Sequence, residues 1–383
     1  MPVSVPPRSA DRISTTGAWS AGDDPGDRRF ARLIGVEGLG LEAGGCLGPV
    51  DVAYETWGEL DATRGNAVLV LHALTGDSHA SGPIGPGHLS SGWWPGIIGP
   101  GAPIDTDRFF VVCPNVLGGC QGTTGPASIA PDTKRYGSRF PIITIRDQVR
   151  VEELLADHLG IDRWAAVVGG SMGGMRVLEW CVGSPDRVAR AVVIAVGAAA
   201  TAEQIGLCAL QVRAIRADPA FAGGDYYDNA EGPARGMAIA RGIGQLSYRT
   251  AAELDARFGR DAQGVEQPLK GGRYSVESYL EHHGDALPRR FDANSYIVLS
   301  EAMNHHDLGR GRGDIASVLS GVKAQVSVVG ISSDRLYPID LQHELARLLP
   351  GSTGVTTIES RVGHDGFLVE TGAIGAAISE ALA

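Results

Sequence analysis

Residues 167–175 read VVGGSMGGM. An apolar, β-branched run meets a serine crowded by four glycines. Within it lies Gly169-Gly170-Ser171-Met172-Gly173, a G-x-S-x-G pentapeptide. A strand pattern precedes it (RWAAVVGG, Arg163 to Gly170) and a helix pattern follows. That context predicts a sharp strand-to-helix turn that lifts the Ser171 hydroxyl clear of the backbone. Glycine tolerates the strained, close-packed chain such a turn demands, and the helix N-terminus behind it favours developing negative charge. With 54 glycines in 383 residues the pentapeptide also arises by chance, so its flanks carry the reading.

Working outward, similar runs recur: NAVLVLHALTG (66–76), RFFVVCPN (108–115), RAVVIAVG (190–197), AQVSVVGISSD (324–334) and GVTTIES (354–360). They are apolar with little alternation, which suits strands buried on both faces of a parallel sheet. TIRDQVRVEELLADHLG (144–160) opens with Thr144 and Asp147 at capping-box spacing and continues as an amphipathic helix. Strands alternating with helices predict an α/β fold, a mostly parallel sheet with helices on both faces. One gap breaks the rhythm: roughly 120 residues separate the strands near Ala191 and Ala324, where a few residues and one helix are usual. Rich in Ala, Arg, Leu and Glu, this gap reads as a helical lid over the carboxyl end of the sheet, where such folds bind ligands. The predicted organisation is a disordered N-terminal arm (1–29), a core of 30–200 and 321–383, and a helical lid (201–320).

Composition narrows the function. Apolar residues make up 43% and charged residues 20%, enough for a sizeable core. The net charge of −11 argues against a nucleic acid or an anionic membrane as partner. No signal-peptide pattern opens the chain, and the longest apolar run, Ala191 to Ala200, is short of the ~20 residues a bilayer span needs. The five cysteines are odd in number and include no CxxC, so neither a disulfide framework nor a zinc site is expected. A reducing, cytoplasmic location follows.

A serine is a weak nucleophile at neutral pH and needs a base. His364, in SRVGHDGFLVE, follows the last strand run and precedes the last helix; Asp334, in GISSDRLYP, follows the preceding strand in the same way. The chain order Ser171, Asp334, His364 is that of α/β-hydrolases. Ser171 would attack, His364 would take and return the proton, and Asp334 would fix the imidazole tautomer. The plainer alternatives are a helix cap for Asp334 and an ordinary loop histidine for His364. An oxyanion hole needs two backbone N–H groups. Met172 supplies one, and Leu74 in HALTG is the choice for the other, with Ala73 the alternative. His72 reads as a buried structural histidine. MNHHDLGRGRG (303–313) suggests a metal, but neighbouring residues rarely point at one ion, so no metal is expected.

Taken together, LVLHALTGDSHASG, NVLGGCQGTTGPAS, VVGGSMGGMRVLEW, ARGIGQLSYRT, MNHHDLGRGRG, ISSDRLYP and VGHDGFLVE resemble the homoserine O-acetyltransferases, α/β-hydrolase-fold enzymes of methionine biosynthesis. The likeness runs from about Phe30 to the C-terminus. It implies ping-pong transfer of acetyl from acetyl-CoA to the hydroxyl of L-homoserine, with acetyl-CoA a substrate and no bound cofactor. By the family pattern, Arg241 matches the arginine that takes the substrate carboxylate, Asp365 the aspartate beside the substrate amine, and Tyr248 a further substrate-side position. A guanidinium fork and a carboxylate suit a zwitterionic amino acid. The pattern also implies a homodimer built through the lid. Alternatives on the same scaffold are homoserine O-succinyltransferase, serine O-acetyltransferase, and an esterase or thioesterase.

Overall fold

The computed structural model describes residues 15–383. Eight strands form its main sheet: β1 (Arg29–Ile34), β2 (Val50–Trp57), β3 (Ala67–Leu71), β4 (Phe110–Pro114), β5 (Trp164–Gly170), β6 (Val188–Ile194), β7 (Gln325–Ile331) and β8 (Ser352–Ile358). Their spatial order is β1-β2-β4-β3-β5-β6-β7-β8. Only β2 runs against the rest, pairing antiparallel with β1 and β4. All other pairings are parallel.

The non-alternating runs are explained by what covers the sheet. Successive side chains of a strand point to opposite faces. Leu69, Leu71, Val167 and Val193 join one apolar cluster with α1 (Ile145–Leu159) and α2 (Met172–Gly183). Val68, Val70, Val168 and Val192 join a second with Trp94 and Ile97. Thr144 and Asp147 form the expected capping box at the start of α1. Two strands, β1 and β2, lie outside the runs expected from sequence. They occupy one edge, where pairing is antiparallel and burial partial, so no continuous apolar run marks them.

Between β6 and β7 the chain forms α3 (Ala202–Arg216), α4 (Ala234–Tyr248), α5 (Ala251–Phe258), α6 (Ser275–Ala286), α7 (Ala293–Asn304) and α8 (Ile315–Ser320). None of these residues joins the main sheet. After β7 come α9 (Ile339–Leu348), then β8, then α10 (Gly366–Val369) and α11 (Thr371–Leu382). Ile374 and Ile378 place α11 in the second cluster, on the face opposite α1 and α2.

The N-terminal arm differs from expectation where it is described; residues 1–14 lie outside the described residues. Residues 15–28 follow the body of the protein. The Trp19 N–H donates to Cys120 O at 2.9 Å, and its ring sits 4.9 Å from that of Phe30. Gly17 passes so near that a Cβ there would lie 2.3 Å from Phe291 N. The Pro, Asp and Gly content that suggested disorder is outweighed by this one tryptophan anchor and the close backbone approach.

Candidate active site

Ser171 is the residue between β5 and α2. Its φ of 56° and ψ of −125° put a non-glycine residue in strained backbone, a conformation that costs on the order of 1–3 kcal/mol. The surroundings enforce it. Ser171 N–H donates to Ile194 O at 3.0 Å. A Cβ on Gly173 would lie 2.1 Å from Leu71 O, and one on Gly170 would meet the Phe367 ring at 2.7 Å. The glycines are there so that α2 can cross the end of β3 and the Phe367 ring can close over the turn.

The two other expected partners also stand just beyond strand ends, after β7 and β8. His364 Nδ1 lies 2.6 Å from Asp334 Oδ2. The other carboxylate oxygen, Oδ1, accepts from Leu336 N–H at 2.8 Å and Tyr337 N–H at 2.9 Å. Asp334 therefore ties down its own turn as well as holding the imidazole; it is not the cap of α9, whose first turn follows Pro338 without a side-chain cap bond. The pairing makes Nδ1 the donor and leaves Nε2 as the basic nitrogen. Burial pushes the His364 pKa down, but the charge and hydrogen bond of Asp334, with Asp365, outweigh it and hold the pKa above 6.5. Tyr337 stacks on the ring at 5.1 Å and Phe367 meets it edge-on at 5.3 Å. Tyr337 had no signal in the sequence beyond its place three residues after Asp334. Trp94, in the long connection between β3 and β4, buttresses this corner by donating to Phe367 O at 3.2 Å.

Met172 is the first residue of α2, where a helix N–H has no acceptor within the helix. The loop after β3 is held against α2 by buried polar groups. His72 Nδ1 is 2.8 Å from Ala73 O, and Nε2 accepts from Val116 N–H at 3.1 Å. Burial, then Arg176, push the His72 pKa down to about 3, so it is a neutral structural group. Arg176 on α2 donates to His72 O and forms an ion pair with Glu152 of α1 at 2.7 Å. Leu74, Ala73, Ser171 and His364 line one cavity, which encloses about 790 Å³ of space including its mouth.

Arg241, Tyr248 and Asp365 line the same cavity. Arg241 lies 5.7 Å over the Tyr248 ring, and no carboxylate pairs with it among the described residues. Burial, above all, pushes the Tyr248 phenol up to about 12. Asp365 begins α10 but makes no side-chain cap bond there. Its carboxylate meets Arg249 and Gln245 instead. From the lid, Gln204, Cys208, Gln211, Met303 and Asn304 complete the wall. Sequence reading gave none of these a place in the site; they become neighbours of Ser171 only when the helices between β6 and β7 fold back over the sheet.

The MNHHDLG stretch does not converge on an ion: His306 is buried with Nε2 at 3.0 Å from Gly197 O, and His305 is exposed. A different buried cluster, Glu55, His79 and His88, brings three possible ligand atoms within 4.8 Å. Its hydrogen bonds argue for an ion pair. His79 Nδ1 faces Glu55 Oε2 at 2.8 Å and Nε2 faces Pro83 O at 3.2 Å, so both nitrogens meet acceptors, as an imidazolium requires. His88 stacks flat on His79 at 3.8 Å, which keeps one ion out of both ring planes.

A parallel sheet with a helical insertion after β6, a strained serine after β5 and a buried His–Asp pair after β8 and β7 define a protein of the α/β-hydrolase fold class. The family model for the alpha/beta hydrolase fold matches residues 66–371. A protein named homoserine O-acetyltransferase from Thermobifida fusca (strain YX) is 59% identical over 372 residues, covering 97% of this chain and 98% of the relative. The crystal structure of homoserine O-acetyltransferase from Bacillus anthracis superposes with a TM-score of 0.84 at 29% identity, over 93% of this chain and 97% of that one. Esterase E22 superposes with a TM-score of 0.83 at 27% identity, over 93% and 99%. The chain belongs to the homoserine O-acetyltransferase family.

Proposed function

We propose that this cavity transfers acetyl from acetyl-CoA to the side-chain hydroxyl of L-homoserine, a step of methionine biosynthesis. The observation that carries the reading is one cavity lined by Ser171 and His364 together with an uncompensated cation, Arg241, and a carboxylate, Asp365. A zwitterionic acceptor satisfies both charges, whereas a simple ester needs neither.

In the first half-reaction Ser171 Oγ attacks the thioester carbonyl carbon while His364 Nε2 takes its proton. The N–H groups of Met172 and Leu74 hold the developing oxyanion. The C–S bond breaks, and the leaving CoA sulfur takes the proton from His364. In the second, homoserine is held by Arg241 at its carboxylate and Asp365 at its ammonium, with Tyr248 alongside. His364 deprotonates its hydroxyl, that oxygen attacks the acetyl carbon, and Ser171 leaves with the proton returned. Acetyl-CoA is a substrate, and the route uses no bound cofactor or metal.

Family membership supports this reading over an esterase or thioesterase on the same fold, the second reading, which the likeness to esterase E22 favours. Thiol release from acetyl-CoA separates them. Release that depends on homoserine, with one acetyl group on wild-type protein and none on Ser171→Ala by intact mass, is expected. Full-rate release without homoserine would move the assignment to hydrolysis. Serine and succinyl-CoA belong in the same assay, since one methylene of chain length is worth only ~1–3 kcal/mol of discrimination. We assign the protein to the cytoplasm on its substrates; no helix among the described residues is long and apolar enough to cross a membrane. A homodimer through the lid is supported by exposed Ile205 and Leu210 on α3 and Ile239 and Leu246 on α4.

A further inference from the structure

Asp365 is held on one side only. Arg249 Nε lies 3.2 Å from Oδ2, and Gln245 Nε2 donates to the same oxygen at 3.4 Å. Oδ1 has no protein partner among the described residues. Both partners are themselves anchored. Gln245, 1% exposed, also donates to the Tyr279 hydroxyl of α6 at 2.8 Å. Arg249, which follows α4, has Glu253 of α5 on its far side at 3.6 Å. Neither Arg249 nor Gln245 lines the cavity; Asp365 does.

The geometry points to Arg249 and Gln245 as positioning residues that pin Asp365 through Oδ2, present Oδ1 to the acceptor's ammonium group, and so set the demand for an amino group on the acceptor alcohol. This rests on the acyl-transfer reading above. The physical reason is directional. A carboxylate free to turn can offer either oxygen to water or to an N–H of the wall, and then loses little when the acceptor brings no ammonium. A carboxylate locked with one oxygen occupied turns the other, half-buried, toward the cavity; an acceptor that fills the cavity without bringing a donor strips that oxygen of solvent and leaves it unpaired, which is what makes a site reject the analogue that lacks the group. Arg249 acts through Asp365 and touches no reacting atom.

The test compares homoserine with 4-hydroxybutyrate, the same alcohol without the amino group, in wild type, Arg249→Leu, Arg249→Lys and Gln245→Leu. Formation of acetyl-Ser171 by intact mass is followed separately from acceptor turnover. The expected result is that acetyl-Ser171 still forms in all variants. KM for homoserine should rise about tenfold or more in Arg249→Leu with a smaller change in kcat, and the preference for homoserine should fall by a similar factor. Arg249→Lys should recover part of that preference, and Gln245→Leu should lose part of it. A preference unchanged in both leucine variants overturns the proposal. So does loss of acetyl-Ser171 formation in step with acceptor turnover in every variant, which marks a general structural role. A wild type that discriminates neither acceptor overturns the acyl-transfer reading together with this one, whereas a discriminating wild type with equally discriminating variants overturns this one alone.

Discussion

Asp334 divides its two oxygens between structure and chemistry: Oδ1 receives two backbone N–H groups of its own turn and Oδ2 receives His364. Replacing it with Asn leaves the turn an acceptor but removes the charge that holds the imidazole tautomer. Asp334→Asn should lower kcat by about ten-thousandfold. The pH profile should move as well. The proposed base works only when neutral, so wild-type activity should rise as pH climbs through the His364 pKa, which Asp334 holds above the ordinary histidine value. Without the Asp334 charge, burial is left to dominate, and the acidic limb of kcat/KM should shift to lower pH. A limb that stays where it is would show that Asp334 does not set the base.

At the scale of elements, α2, the helix that follows Ser171, is tied to its neighbours by one buried cation. Arg176 of α2 joins Glu152 of α1 and the carbonyl of His72, and Trp180 donates to the second Glu152 oxygen at 2.8 Å. Removing one partner of such a pair leaves an uncompensated buried charge. Arg176→Met should cost about 3–5 kcal/mol in urea unfolding. It should also slow the proposed acetylation of Ser171, because the loop after β3, proposed to offer the Leu74 N–H, loses its tie to α2. Wild-type stability in this variant would show the pair to be dispensable.

The Glu55–His79 pair acts on the molecule as a whole, joining β2 to the loop that carries Trp93 and Trp94. Burial lowers the His79 pKa, but the hydrogen bond and charge of Glu55 raise it to a net value above 6.5. A group whose folded pKa is raised stabilises fully below its unfolded value and loses that contribution as pH rises through the folded one. The stability gap between wild type and His79→Gln should therefore be widest below the ordinary histidine range and should shrink as pH rises through the raised pKa of the folded state. A gap independent of pH would contradict the ion pair. Across subunits, Ile239→Asp with Leu246→Asp should convert the proposed dimer to monomers in light scattering. An unchanged mass would place the interface elsewhere.

What the chain declared by itself was local and periodic. Strand-like runs announced six of the sheet strands: five because a strand covered on both faces has no polar side to show, and the largely exposed edge strand β8 by its β-branched residues alone. The G-x-S-x-G turn was legible because its glycines answer to backbone packing within a few residues, and Asp334 and His364 because each directly follows a strand run. Pairing over long separations was not legible. Which oxygen of Asp365 stays free depends on Gln245, 120 residues earlier. Trp19 finds Cys120, and Arg176 finds the carbonyl of His72, 104 residues away. No spacing encodes such partners. They meet only once the sheet aligns its strand ends and the helices between β6 and β7 fold back over them, so the turn at Ser171 was written in the sequence while the wall around it was decided by tertiary packing.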